Sequence, residues 1–197
     1  MKQKLLRYLG ILFILIGITV IGVVGYRKYT TYKGQQQLKD KFQQILKQKE
    51  PDKPAENNSK KEDNSIVSNI TPIALMKIPK INVEVAVAEG TGDEVLRYAL
   101  GHFKKTAMPG ENGNFAVAGH RNFTYAEYFK DLDKLNKGDE IIVQTKEAQF
   151  TYIVNDSFIV NPDKVEILDS TKEKTITLVT CTIGAKQRLV IKGILKK

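Results

Sequence analysis

Apolar and polar positions divide the chain into three stretches with different periods. From position 9 to 25, LGILFILIGITVIGVVG, every residue is apolar or small except one threonine. With Leu5, Leu6 and Tyr8 the run reaches about 20 residues, the length a helix needs to cross a bilayer. Lys2, Lys4 and Arg7 precede it, and Arg27 and Lys28 follow it. Positive charge at the very start of a first segment favours a cytoplasmic N-terminus. The run is longer than a typical signal-peptide core and no A-x-A site follows it, so an uncleaved anchor over residues 1–29 is expected.

The second stretch, residues 30–70, is expected to be a flexible extracellular linker. Its first part, QQQLKDKFQQILKQKE, sets Leu38, Phe42, Ile45 and Leu46 at helical spacing and predicts a short amphipathic helix near the membrane. The following EPDKPAENNSKKEDNS has almost nothing to bury and predicts disorder, a tether holding the next domain away from lipid.

The third stretch, residues 71–197, switches to short β-branched and apolar runs bounded by Gly, Pro, Asn or Asp. These are IALMKI, VEVAV, FAVAG, EIIVQT, FTYIVNDSFIV, TITLVT and RLVIKGIL. Such spacing predicts a mainly β barrel or sandwich. Two helices are expected between the strands. One is TGDEVLRYAL. The other begins at Thr124, where Glu127 three residues on completes a capping box, and runs through Tyr128, Leu132 and Leu135 to near Gly138.

Charge changes this picture little. The net charge is +9. Residues 1–70 carry 13 Lys and Arg against 6 Asp and Glu, whereas residues 71–197 carry 18 against 16. The basic excess therefore flanks the apolar run, and the globular part is near neutral. That distribution fits membrane topology and a solvated linker rather than nucleic-acid binding.

The candidate chemistry lies in TLVTCTIGAKQRLVIKG, which holds Cys181, the single cysteine, and Arg188. One cysteine forms no internal disulfide, so a thiol that is used is used as a thiol. If TITLVTC and RLVIKGIL form a symmetric hairpin around TIGAKQ, Cys181 lies opposite Arg188 and both project from one face. A thiol of ordinary pKa is only about 3% thiolate at pH 7 and needs a base or cation nearby. His120, at the exit of the short strand FAVAG, is a candidate base; His102, in ALGHFKK, has no such setting. Spacing alone leaves the plainer readings open: Cys181 as a small core residue, His120 as a structural histidine, Arg188 as a surface charge.

Motifs separate these readings. TLVTCTIGAKQRLVIKG resembles the TLxTC…R signature of sortases, the membrane-anchored cysteine transpeptidases of Gram-positive bacteria. GNFAVAGHRN resembles the segment around the sortase histidine, IPKINVEVAV the opening strands of the sortase barrel, and AMPGENGN the loop before the histidine strand. The resemblance covers residues 75–195. It implies a closed β-barrel of about eight strands with two short helices, preceded by a transmembrane helix. It also implies Cys181 as nucleophile, His120 as general acid/base and Arg188 as stabiliser of substrate and oxyanion, with Thr180 and Arg121 as weaker substrate-binding candidates. His102 matches no catalytic position. The implied substrates are proteins with an LPxTG-type sorting signal. The implied acceptors are an amine of cell-wall precursor or, in the pilin-polymerising type, a pilin lysine.

The compact C-terminus favours a class D-like or housekeeping-like enzyme, while the stretch after His120 looks like the pilin type. The loop NPDKVEILDSTKEK is expected to read the Leu-Pro end of the signal. Its Asp163, Glu166, Asp169 and Glu173 offer oxygens that calcium takes, but a solvated acidic loop is the commoner cause of such a run, and no cofactor or metal is expected. Two rivals remain. An L,D-transpeptidase would carry His close to Cys, whereas His120 and Cys181 are 61 positions apart. A non-catalytic membrane-tethered barrel would use Cys181 only for packing.

Overall fold

The computed structural model describes residues 2–47, 66–121 and 126–196. Eight strands close into a barrel in the order β1-β2-β3-β4-β7-β8-β6-β5. They are β1 (Pro72–Ile78), β2 (Val83–Glu89), β3 (Leu100–His102), β4 (Gly113–Ala118), β5 (Glu140–Gln144), β6 (Gln149–Val160), β7 (Lys174–Cys181) and β8 (Arg188–Leu195). Seven of them coincide with the runs read from the pattern. The eighth, β3, is three residues, Leu-Gly-His, too short for alternation to register.

Two pairs are parallel, β2 with β3 and β4 with β7; the rest are antiparallel. Parallel neighbours need a crossover. A short one carries helix α2 (Asp93–Leu96) from β2 to β3, and the β5–β6 hairpin lies within the long one from β4 to β7. Alternation sets the core. Phe115 and Val117 of β4, Ile176 and Leu178 of β7, and Leu189 and Ile191 of β8 fill the barrel interior. Residues between them in sequence therefore face outward. β6 pairs first with β5 and then with β8, with a register shift between Val154 and Asp156 that bends one long strand around the barrel.

Helix α1 (Lys2–Lys47) is continuous, so the boundary expected at residue 30 does not fall at a break. It is long and apolar enough to cross a membrane. Its later part is helical, as the spacing predicts, but Leu38 and Phe42 face the barrel rather than lipid, at 0% and 1% exposure. They find cover because the outer side of β2 presents the small residues Ala86 and Ala88, which cluster with Leu38, Val67, Ile70, Val95 and Ala99. The stretch expected to be disordered, residues 50–65, lies outside the described residues. Of the two expected short helices, the first is the single turn α2. In place of the second, residues 128–131 form turns and Leu132–Lys134 one 3-10 turn; Thr124 lies outside the described residues. Phe129 and Leu132 are fully buried, and tertiary packing here overrides the helical pattern.

Candidate active site

β7 and β8 form the hairpin that the spacing predicts, and Cys181 is the register partner of Arg188. The connecting loop closes on itself. Thr182 and Gln187 exchange backbone and hydroxyl hydrogen bonds, and Gly184 and Ala185 adopt positive φ of 80° and 57° to turn the chain. Arg188 Nη1 donates to the carbonyls of Ala185 and Gln187, at 3.3 and 3.2 Å, which leaves other guanidinium donors for a ligand.

His120 reaches the same place by a different route. The parallel β4–β7 ladder keeps a constant offset of 61 residues, from Gly113↔Lys174 to Ala118↔Val179. Pairing continues beyond the strand proper: Gly119 N–H donates to Val179 O at 3.1 Å, and Thr180 Oγ1 donates to Gly119 O at 2.7 Å. The same offset carried to His120 gives Cys181. That extension aligns His120 with Cys181, whose partner on β8 is Arg188, at one end of the barrel. Adjacent strands are about 4.8 Å apart. Cys181 and His120 are half-buried. Burial lowers the His120 pKa from its ordinary 6.5, and the charge of Asp93 on α2 partly counters that.

Thr180 and Arg121 take other positions. Thr180 is 2% exposed and spends its hydroxyl on the Gly119 carbonyl, so it fixes the backbone carrying His120 instead of facing a groove. Arg121 is buried, and its Nη2 lies 3.0 Å from Asp133 Oδ1. The Thr180 hydroxyl and one guanidinium nitrogen of Arg121 thus have partners within the protein. His102 is buried in a closed cluster. Nδ1 lies 2.8 Å from Glu89 Oε2, and Nε2 lies 3.1 Å from Ala107 O and 3.0 Å from Thr106 Oγ1.

A second group of residues escaped the sequence reading. Asn114, Thr177 and Lys192 lie on the outer face of β4, β7 and β8, on the side of Cys181 away from the hairpin loop. Thr177 Oγ1 donates to Asn114 Oδ1 at 2.6 Å. Asn114 Nδ2 donates to the carbonyls of Ile167 and Asp169, and Lys192 Nζ to Ile167 O at 2.9 Å. Together they pin the β6–β7 loop over the sheet. Burial pulls the Lys192 pKa down, with Asp169 opposing. Between the pinned loop and Cys181, the outward-facing Ala116, Val179 and Val190 are buried. Farther along, a cleft of about 810 Å³ opens between Val165, Leu168 and Ser170 of that loop and residues 103–106. Its lining does not include His120, Cys181 or Arg188. The one signal available beforehand was a polar Asn and Thr in otherwise apolar strands.

Of the acidic residues in this loop, Glu166 is paired with Lys164 at 3.1 Å. Among the described residues no three His, Cys, Asp or Glu side chains converge as metal ligands would.

Comparison with known proteins bears on this arrangement. The family model described as "Sortase domain" matches residues 76–196. Sortase SrtE1 of Streptomyces coelicolor is 37% identical over 138 residues, covering 61% of this chain and 39% of that protein. Sortase D of Bacillus subtilis is 34% identical over 108 residues, covering 54% and 52%. The match therefore spans about half or less of each of these relatives. The solved structure of a Clostridium perfringens sortase D5 transpeptidase is 37% identical, with a TM-score of 0.65, over 86% of this chain and 99% of that one.

Proposed function

The chain belongs to the sortase family, and on that premise we propose that it is a membrane-anchored cysteine transpeptidase acting on proteins with an LPxTG-type sorting signal. Cys181 thiolate attacks the Thr–Gly carbonyl. The tetrahedral oxyanion is stabilised by Arg188, which keeps its charge through the cycle. Collapse expels the glycine amine, which takes a proton from the His120 imidazolium, and leaves a thioester on Cys181. An incoming amine then attacks the thioester, gives its proton to neutral His120, and releases Cys181 as thiolate. The cycle uses only these three side chains and is balanced in protons.

The observation that supports the reading is the register: Cys181 pairs with Arg188 in the β7–β8 hairpin, and the β4–β7 offset, carried two residues past Ala118↔Val179, aligns His120 with Cys181. The outer face between Cys181 and the β6–β7 loop is read as the path of an extended peptide, its Leu-Pro end toward Val165 and Leu168. The acceptor is an amine of cell-wall precursor. The likeness to a sortase D and to a sortase D5 transpeptidase supports a class D-type enzyme. The N-terminal apolar helix suggests a membrane anchor, here read with its N-terminus in the cytoplasm and the barrel outside.

The test is intact-mass measurement of the protein with an LPxTG-type peptide and no added amine. An adduct equal to the peptide minus its glycine part, absent in Cys181→Ala, is expected. No adduct across a panel of signals, with Cys181 also inert to a small alkylating reagent, would instead support a non-catalytic barrel.

A further inference from the structure

We infer that the C-terminal half of α1 is a docking arm that clasps the barrel directly, so that side-chain packing, not a flexible tether, sets the barrel's position relative to the membrane helix. This rests on the reading of the first half of α1 as the anchor. Burial along the helix changes abruptly. Side chains from Leu6 to Tyr29 are exposed, whereas Thr31, Gly34, Leu38 and Phe42 are buried. Their spacing of three, four and four residues is one helical stripe. The basic and aromatic residues that suit a membrane interface, Tyr26, Arg27, Lys28 and Tyr29, end two positions before the stripe begins. No slack lies between interface and dock. Thr31 follows Gly25 by six positions, about 9 Å at the helical rise.

Gly34 shows that the contact is specific. Glycine inside a helix is unfavourable unless something needs the space. A Cβ at Gly34 would lie 2.6 Å from the Tyr98 ring. Farther along, Lys39 Nζ lies 3.7 Å from Glu84 of β2. Lys41 Nζ donates to the carbonyls of Ser68 and Ile70. Val67 and Ile70, just ahead of β1, are buried against the same arm. The arm ties the barrel to one height and one rotation above the bilayer, and so to substrates presented close to it. Because Tyr98 follows α2, which carries Asp93 toward His120, the arm also braces the element beside the site.

The experiment uses the full chain with an N-terminal affinity tag and a protease site inserted between Asn58 and Ser59, reconstituted in phospholipid vesicles. Flotation of the uncleaved chain with vesicles reads the anchor alone, and its failure would count against that reading only. After cleavage, the barrel fragment is expected to stay with the vesicles, or with the tag in detergent. Release of most of the barrel would overturn the inference. Gly34→Leu and Phe42→Asp should convert retention into release while adduct formation with a soluble sorting peptide persists. Leu favours the helix more than Gly does, so its effect reports docking, not helix loss. Retention by both variants would also overturn it.

Discussion

Two histidines three strand positions apart across β3 and β4 are built in opposite ways. His102, paired in register with Val117, is 1% exposed, with Glu89, Ala107 and Thr106 around its two nitrogens and the Phe115 ring 5.2 Å away. The Thr106 hydroxyl gives its proton to Phe103 O and accepts from Ala116 N–H. Every partner is committed, so His102 ties the β3–β4 loop to the sheet. His120, three residues beyond Val117, sits half-buried at the rim with a thiol on the adjacent strand. The two imidazoles thus differ in burial and position: His102 is enclosed between strands, whereas His120 is half-buried at the end of β4.

The comparison breaks most sharply under truncation. His120→Ala and Cys181→Ala are each expected to lower turnover of a sorting peptide by on the order of 10³-fold or more, with thermal unfolding little changed. A fall in stability as large as the fall in activity would make His120 a second His102. Arg188→Lys keeps the charge and loses the planar fork, and a loss of about 10²-fold in kcat/KM is expected; wild-type rates would remove Arg188 from the chemistry. His102→Ala should do the reverse of His120→Ala. It leaves Glu89 and Ala107 without a partner and a cavity beside Phe115, for ~2–3 kcal/mol of stability by denaturant unfolding, with activity per folded molecule retained.

Smaller effects sharpen the contrast. Thr180→Val keeps shape and removes the hydrogen bond to Gly119 O, costing about 1 kcal/mol. Part of that loss should appear as lower turnover, because the same carbonyl precedes His120. For pH, the direction follows from burial. The folded His120 pKa lies below its unfolded value of 6.5. Above that pH both states are neutral there and the term is absent. As pH falls below it, the unfolded chain takes up a proton first, so stability declines. An NMR titration of the resting protein should give a His120 midpoint under 6.5, and His120→Gln should remove this part of the acid slope. A midpoint at or above 6.5 would mean that a neighbouring anion outweighs burial.

Much of this was legible because it is local. The Cys181–Arg188 pair needs only a hairpin whose two arms count equally from the turn. Strand alternation in TITLVTC also sorts Thr180 from Cys181, one inward and one outward. The resemblance implies Thr180 and Arg121 as weaker substrate-binding candidates; the structure adds that Thr180 Oγ1 donates to Gly119 O and that Arg121 Nη2 pairs with Asp133, partners 61 and 12 positions away. The helix expected after His120 failed for a related reason. Its apolar positions are drawn into the barrel end, where Phe129 and Leu132 are buried in turns.

From the sequence alone come the elements whose cause lies within a few residues: the apolar run, the β-branched strands, the turn at Gly184, and the single thiol opposite an arginine. Three matters were left to the tertiary structure. Parallel pairing of β4 with β7 aligns the end of β4 with Cys181, Asn114 and Lys192 pin the β6–β7 loop over the sheet, and Leu38 and Phe42 of α1 are buried rather than exposed. Each joins segments far apart in the chain, and each is decided by which apolar faces and polar groups find one another once the barrel closes. No local pattern encodes that choice, because a strand's alternation states which face is buried but not against which partner.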